Sequence, residues 1–320
     1  MELLIYENAF QRIGNQLDDV TLTRVQHDGA LLRNGAAVDA EALKLDAAYA
    51  SPDLFRVPDA ARGFFRAVLK SPTVRWLQSG AAGLDDAAFQ RVAAKGVAIS
   101  ANDAAAIPIA EYVFAEVLAV FQNQAARRKA QAEHRWDRLA FREIAGTTWL
   151  IVGLGAIGNA VARRAKAFEA TVLGIRQNPA KGGLADEIAG LDALPSFLSR
   201  ADVVVIATPL TEATTHLVDA GFLDRLKPEA VLVNIARGKV VDETALLAAL
   251  DRGRPAHAVL DVFATEPLPA ESPFWAHPRV IVTAHAAARG DGFFARGDRL
   301  FLDNLARFRA GEPLRNLARF

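Results

Sequence analysis

The chain has 320 residues, and this length predicts about two domains. Hydrophobic residues make up 52% and charged residues 23%, a composition typical of a globular protein with ample material for a core. Because 37 Lys and Arg residues balance 37 Asp and Glu residues, the net charge favours neither nucleic acid nor an anionic membrane as a partner.

Several features that the sequence lacks limit the classes of protein to which the chain can belong. No apolar run approaches the ~18 residues of a membrane span, and residues 1–6 predict a first strand, with no signal peptide. The absence of cysteine excludes disulfides and cysteine nucleophiles and fits a cytoplasmic location. With no cysteine and no close cluster of His, Asp and Glu, we also expect no metal site.

Residues up to about 99 are predicted to form a small α/β unit. Strands are predicted at 3–6, 74–77 and 97–99, and helices at 60–69 and 85–94. The loop Ser79–Asp85 contains two glycines and precedes a helix, so its backbone N–H groups could bind an anion. A plain strand-to-helix turn explains the same spacing equally well.

The next segment changes from apolar to basic. A helical pattern over 107–124 has Pro108 in its first turn and a face apolar enough to be buried between domains or subunits. Residues 125–142 are rich in arginine, which is typical of a solvated face. Trp136 is the exception, because a tryptophan in so polar a segment needs a pocket or a partner.

The stretch 148–177 predicts a strand at 149–152, a glycine-rich turn, a helix and a second strand at 171–175. Gly153 permits a tight turn, Gly155 lets the backbone approach a pyrophosphate, and Gly158 lets the helix pack on the strand. The free N–H groups of the helix then face the phosphates. The alternative is a tight turn that binds nothing. The predicted cofactor-binding residues here are Gly153, Gly155, Ala156, Ile157 and Gly158.

The residue that follows the second strand bears on the choice of dinucleotide. An acid that binds the ribose hydroxyls of NAD is expected ~20 residues past the glycines. Arg176 stands there instead, and no acid follows until Asp186. Because a guanidinium can hold a 2′-phosphate, the sequence favours NADP(H) over NAD(H). A solvated surface arginine that tolerates either cofactor is the alternative.

Four further apolar runs predict buried parallel strands at 202–207, 231–236, 258–261 and 280–283. Each ends in polar or charged residues, where a doubly wound sheet places its ligands. Residues 293–308 predict a closing amphipathic helix. The strand-end residues Thr208, Pro209 and Ala236 are predicted to contact the cofactor.

Three ionisable residues follow consecutive strand ends: Arg237, Glu266 and His285. Such a set suits reduction of a 2-oxo acid, since arginine binds the carboxylate and a protonated histidine donates to the carbonyl oxygen. A carboxylate beside the histidine stabilises the imidazolium and orients the ring. Taken singly, each residue also has an ordinary structural explanation, such as an ion pair, an exposed turn or a core histidine.

The motifs at 233–243, 260–269 and 282–285 resemble those of the D-isomer-specific 2-hydroxyacid dehydrogenases, and the likeness covers nearly the whole chain. The resemblance implies that Arg237 binds substrate, with Glu266 as partner of the acid/base His285. It also implies that Asp261 lies near the nicotinamide carboxamide. The implied substrate-binding residues are Ala82 and Gly83, through backbone N–H groups, together with Arg237 and His285.

The resemblance also implies an architecture of two doubly wound parallel-sheet α/β domains. A Rossmann coenzyme domain, residues 99–286, is expected to be inserted in a flavodoxin-like substrate domain formed by 1–98 and 287–320. The resemblance and the apolar helix after Pro108 suggest a homodimer with its partner surface on the coenzyme domain.

Two residues depart from the usual family pattern. Ala284 replaces the proline before the histidine, so the histidine loop is expected to be less rigid. Arg176 resembles the NADPH-preferring glyoxylate/hydroxypyruvate reductases.

The resulting hypothesis is an NADPH-dependent reductase of a small 2-oxo acid, glyoxylate or hydroxypyruvate first. A dehydrogenase for a bulkier 2-hydroxy acid is one alternative. A dinucleotide-sensing binding protein, like the corepressors that resemble this family, is another. A related formate dehydrogenase would have glutamine at the position of Glu266, which argues against that activity.

Overall fold

The computed structural model describes residues 1–318 and divides into two compact units. The first unit comprises Met1–Ala105 together with the segment from Gly290 onward, and the second comprises Ala106–Arg289. The second unit is therefore inserted in the sequence of the first. The boundaries expected after residues 98 and 286 fall slightly earlier in the chain than these divisions.

The first unit contains a seven-stranded sheet within its described residues. Its strands are β1 (Glu2–Tyr6), β2 (Thr21–Val25), β3 (Leu31–Arg33), β4 (Ala36–Ala37), β5 (Ala47–Ala50), β6 (Trp76–Ser79) and β7 (Ala98–Ser100). Its α-helices are α1 (Glu7–Ile13), α2 (Pro58–Lys70), α3 (Ala87–Ala94) and α10 (Phe293–Ala310).

The strand order of this sheet is β4-β3-β2-β1-β5-β6-β7. Five neighbouring strands, β2, β1, β5, β6 and β7, pair in parallel. Leu3 of β1 lies opposite Leu22 on one side and Ala47 on the other. Only β3 and β4 extend the edge with antiparallel pairs. The order reverses at β1, as in the flavodoxin-like topology.

Helices cover both faces of the first sheet. Phe64 of α2 and Phe89 of α3 belong to one apolar cluster, while Phe301 of α10 stacks on Tyr49 of β5 with ring centroids 4.1 Å apart on the other face. A sheet buried on both faces needs strands that are apolar throughout. β1 meets this requirement, since Leu3, Leu4 and Ile5 are fully buried.

The second unit contains another seven-stranded sheet, with order β10-β9-β8-β11-β12-β13-β14 among the residues described. Its strands are β8 (Thr148–Val152), β9 (Thr171–Ile175), β10 (Glu187–Ala189), β11 (Val203–Ile206), β12 (Val231–Asn234), β13 (His257–Leu260) and β14 (Val280–Val282). Its α-helices are α4 (Ala106–Phe121), α5 (Gln124–Ala132), α6 (Ala156–Ala167), α7 (Leu194–Leu198), α8 (Ala220–Asp224) and α9 (Glu243–Asp251).

All pairs in the second sheet are parallel, and the strand order reverses between β8 and β11. This is the Rossmann order with one further strand, and ligands bind at such a reversal, beyond the carboxyl ends of the strands. The predicted fold class, two doubly wound parallel sheets, is confirmed.

The apolar helix expected after Pro108 is α4, which ends at Phe121. Its apolar side is buried within the second unit, where Phe114 stacks on Trp149 with ring centroids 4.7 Å apart. This packing explains the burial of Phe114, whereas Ile107 of the same helix is 39% exposed, and a partner surface on the helix stays a prediction.

Some predicted boundaries are wrong. The strand expected at 74–77 is β6 at Trp76–Ser79, and the helix expected from residue 85 begins at Ala87 because Asp86 caps it by accepting the N–H of Ala88. Among the described residues, none of the helices has the length and apolar character needed to cross a membrane.

Candidate active site

The glycine turn after β8 lies at the reversal of the second sheet. Gly153 has φ +107°, and a Cβ built there would lie 2.6 Å from the carbonyl carbon of Ala207 and from the nitrogen of Thr208. A Cβ on Gly158 would lie 2.3 Å from the carbonyl oxygen of Gly153. Both positions require glycine, since the backbone is left-handed at the first and closely packed at the second.

Gly155 differs from the other two glycines because a Cβ built there would meet nothing within 4 Å. It precedes α6, whose first turn has no side-chain cap. Uncapped N–H groups at the start of a helix, beside an open backbone position, form a favourable place for an anion. The residues present therefore fit the pyrophosphate of a dinucleotide, with Ala156 and Ile157 in the first turn.

A cavity of about 320 Å³ adjoins this turn, at the carboxyl ends of β8, β9 and β11. Thr208 and Pro209 line it, as does Arg176. Five further polar residues line it and were not predicted to bind the cofactor: Gln177, Asn178, Lys181, Thr211 and Thr214. Lys181 follows Arg176 closely in sequence and could have been noticed as a second cation, whereas the threonines gave no signal. Ala236, also predicted here, is buried after β12 and does not line this cavity.

Arg176 follows β9, and its Nη1 donates to the carbonyl oxygen of Gly182. Asp186, the next acid, accepts hydrogen bonds from Lys166 and from the N–H of Val172, and these contacts hold the pKa of its carboxyl below the usual value. Val172 lies near the start of β9, whereas Arg176 follows its end. Arg176 therefore lies at the cavity, whereas the Asp186 carboxylate binds Lys166 and Val172 near the other end of β9.

Glu266 and His285 are in direct contact. The Nδ1 atom of His285 lies 2.8 Å from Oε2 of Glu266, and the other carboxylate oxygen accepts the N–H of Phe263 at 2.9 Å. About half of the histidine side chain, 51%, remains exposed. The carboxylate is therefore fixed by its own turn, while the ring it orients keeps Nε2 for another partner.

An apolar cavity of about 410 Å³ lies beside this pair. Leu268, Trp275 and Val282 line it together with Glu266 and His285. Sequence reasoning did not identify Trp275, whose Nε1 donates to the carbonyl oxygen of Pro269 at 2.9 Å. The cavity can accommodate an apolar group next to the acid/base pair.

Arg237 lies in the turn after β12. The side chain of Asn234 holds this turn by accepting the N–H of Ala236 and donating to the carbonyl oxygen of Arg237, both at 3.1 Å. A Cβ on Gly238 would lie 1.8 Å from the carbonyl carbon of Phe263, so only glycine fits there. This close approach packs the Arg237 turn against the turn that carries Glu266.

Asp261 lies directly after β13 and is buried, with 3% exposure. Its carboxylate accepts the hydroxyl of Thr283 at 2.6 Å and the N–H groups of Ala286 at 2.8 Å and Ala287 at 3.0 Å. These bonds engage the carboxylate with the loop that carries His285. The nicotinamide contact that the resemblance implies for Asp261 stays a prediction.

Ala82 and Gly83 belong to the first unit, between β6 and α3. Their N–H groups donate to no acceptor within residues 1–318, as an anion-binding role requires. The loop is anchored at Gly80, where a Cβ would lie 2.3 Å from the nitrogen of Pro52. Their substrate-binding role stays a prediction. In the part of the chain that the structure describes, no group of three or more His, Asp or Glu could hold a metal ion.

A glycine turn at the reversal of a parallel sheet, with a carboxylate–histidine pair at the carboxyl ends of the strands, is typical of a nicotinamide-dinucleotide-dependent oxidoreductase. Comparison with known proteins refines this class. Residues 114–287 match the family described as "D-isomer specific 2-hydroxyacid dehydrogenase, NAD binding domain". The chain belongs to the D-isomer specific 2-hydroxyacid dehydrogenase family, whose members act on 2-oxo and 2-hydroxy acids with NAD(P).

Individual relatives differ in name and length. A glyoxylate reductase of Korarchaeum cryptofilum is 34% identical over 77% of this chain and 76% of its own length. A D-3-phosphoglycerate dehydrogenase of Mycobacterium tuberculosis is 36% identical over 77% of this chain, which spans only about half, 47%, of that protein. A family member of Xanthobacter autotrophicus, solved with NADPH and MES, is 29% identical with a TM-score of 0.73, covering 99% of this chain and 98% of that one.

Proposed function

We propose that the chain is an NADPH-dependent reductase that converts a small 2-oxo acid, glyoxylate or hydroxypyruvate first, to the D-2-hydroxy acid. The observation that carries this proposal is the 2.8 Å contact between His285 and Glu266, on the sheet edge that also carries Arg237. The name of the 34% identical glyoxylate reductase supports the substrate class.

The proposed roles follow from the chemistry of each group. Arg237 binds the substrate carboxylate. The N–H groups of Ala82 and Gly83 are proposed to bind an anionic group as well. His285, protonated and held by Glu266, donates a proton to the carbonyl oxygen. A bound reduced dinucleotide supplies the hydride to the carbonyl carbon. The chain's own residues thus bind the acid, orient it and deliver the proton.

The proposed preference for NADPH rests on two cations at the dinucleotide cavity, Arg176 and Lys181. A 2′-phosphate would gain charge-assisted hydrogen bonds from both, whereas none of the described residues that line the cavity is a carboxylate that could bind the ribose hydroxyls of NADH. The Xanthobacter autotrophicus relative was solved with NADPH, which agrees with this preference.

The test is oxidation of NADPH with glyoxylate, hydroxypyruvate, pyruvate and phenylpyruvate, each repeated with NADH. Turnover with NADPH and a small acid is the expected result. Turnover only with phenylpyruvate would identify a dehydrogenase for a bulkier acid, the second candidate, which the apolar cavity beside His285 favours. Binding of NADPH without any turnover would contradict the proposal and indicate a sensor.

We further propose that the chain forms a homodimer in the cytoplasm, in which the second copy covers Trp136. This residue is 90% exposed, and Phe141 in the same segment is 50% exposed, so both present apolar surface to solvent. A second copy would remove this apolar surface from water. Light scattering after size-exclusion chromatography should give twice 34.4 kDa, and Trp136→Ala should shift the protein toward monomer. A monomer at all concentrations would contradict the proposal.

A further inference from the structure

The backbone of His285 needs an external restraint. Its φ is +48°, in the left-handed region that non-glycine residues rarely occupy, and it lies in an irregular loop after β14. Such conformations persist only where the surroundings hold them. The preceding residue is Ala284, so the ring of a proline does not restrict the chain at this point.

Asp261 supplies most of that restraint. Besides the three bonds to its carboxylate, its backbone carbonyl accepts the N–H of His285 at 2.8 Å. One buried residue therefore binds the loop on both sides of the histidine, at Thr283 and at Ala286 and Ala287. The position of the loop then depends on what fixes the Asp261 carboxylate.

Tyr112 of α4 extends this arrangement. Its hydroxyl lies 2.7 Å from Oγ1 of Thr283. Thr283 has a single hydroxyl proton, which it gives to Asp261, so Tyr112 must be the donor in its bond to Thr283. A tyrosine hydroxyl already carries its proton at neutral pH, and burial raises the pKa of Tyr112 further. A hydrogen-bonded chain therefore runs from α4 through Thr283 to Asp261.

We propose that Tyr112 and Thr283 are positioning residues for the acid/base histidine. They fix the Asp261 carboxylate and, through it, hold His285 in the backbone conformation in which its Nδ1 meets Glu266. In this chain, the network does what a proline at position 284 would otherwise do. The inference rests on the proposed catalytic role of His285, although its geometry stands independently.

Tyr112→Phe removes one hydroxyl and keeps the ring. We expect kcat to fall about three- to tenfold, which corresponds to the net contribution of one hydrogen bond. The KM for the 2-oxo acid and the Kd for NADPH should change by less than about twofold, because Tyr112 itself lines neither the dinucleotide cavity nor the cavity beside His285. Tyr6→Phe is the matched control, since the Tyr6 hydroxyl is buried without a hydrogen-bond partner among the described residues.

Thr283 offers a conservative comparison. Thr283→Val removes both the bond to Asp261 and the acceptor of Tyr112, so its loss of kcat should exceed that of Tyr112→Phe. Thr283→Ser keeps the hydroxyl and should retain kcat within about twofold, since one hydrogen-bonding group is preserved. Equal losses for valine and serine would indicate a packing effect and overturn the proposal.

Ala284→Pro tests whether the hydrogen-bond network takes the place of a proline before His285. The N–H of Ala284 donates to no acceptor in the described chain, so Ala284→Pro removes no hydrogen bond. In the Tyr112→Phe background it should restore kcat, while in the unaltered chain it should have little effect. Such non-additivity is the sign of two changes acting on one element. Additive effects would contradict the inference.

A readout without turnover separates this inference from the proposed function. The ring ¹⁵N resonances of His285, assigned by their loss in His285→Gln, should shift in Tyr112→Phe and not in Tyr6→Phe. If the unaltered chain reduces no 2-oxo acid, the proposed function fails, yet the shift still tests the network. If neither the resonances nor kcat change in Tyr112→Phe, the network does not position the histidine.

Discussion

The two units have closely related sheets but use their charged side chains differently. In the first unit, Arg12 of α1 binds Asp53 at 2.7 Å and Asp298 of α10 at 2.5 Å, and both carboxylates are largely buried. In the second unit, Glu266 and His285 meet at the carboxyl edge of the sheet with much of their surface exposed. Buried charges tie helices to a sheet, whereas charges left accessible at the sheet edge remain available for chemistry.

The largest effect is expected at the accessible pair. His285→Ala removes the proton donor, so kcat for 2-oxo acid reduction should fall by about 10²–10⁴-fold, the usual contribution of general acid catalysis. NADPH affinity and the free energy of unfolding should change little. His27→Ala, at an exposed histidine of the first unit, is the control and should leave kcat unchanged. A comparable loss of kcat in His27→Ala would contradict the conclusion that the histidine of the second unit has the catalytic role.

A substitution at the buried ion pairs of the first unit should instead lower stability and leave cofactor binding unchanged. Arg12→Met leaves the carboxylates of Asp53 and Asp298 without their cation, and should lower the free energy of unfolding by about 3 kcal/mol. Urea unfolding followed by circular dichroism measures this loss. NADPH affinity, which depends on the second unit, should be retained in the folded variant. A loss of affinity without a loss of stability would contradict the structural role of Arg12.

Within the second unit, the cations at the dinucleotide cavity are expected to affect the choice of cofactor. Arg176→Asp should lower the ratio of kcat/KM for NADPH to that for NADH by about ten- to a hundredfold, because a charge-assisted hydrogen bond contributes about 1.5–3 kcal/mol. Lys181→Ala should lower it less, since no repulsive charge is introduced. An unchanged ratio in Arg176→Asp would show that Arg176 does not select the cofactor.

The smallest effect is expected at His257, where β13 begins, at the opposite end of the strand from Asp261. Burial, and then the charge of Arg279, lowers the pKa of His257. The unfolded chain therefore binds a proton more readily than the folded one, so this contribution to stability is present above pH ~6.5 and is lost as the pH falls below that value. The melting temperature should drop less between pH 7.5 and 5.5 in His257→Gln. An identical drop would show that His257 does not contribute.

Much of the second sheet could be predicted from the sequence, and less of the first. The strand Thr171–Ile175 was predicted with its observed bounds, because a continuous apolar run between turn residues is the sign of a buried parallel strand. β5, at Ala47–Ala50, was not predicted, although it is central and fully buried. Three of its four residues are alanine, which has low strand propensity, and only the surrounding packing makes it a strand.

The sequence by itself determined the family, the glycine turn and the charged residues at the sheet edge. These depend on local backbone conformation and on the rule that parallel strands present their carboxyl ends together. Tertiary structure alone decided which side chains meet. Tyr112 and Thr283 are 171 positions apart, and Arg12 and Asp298 are 286 apart. A hydrogen bond between distant elements depends on how those elements pack, and no local periodicity records that packing.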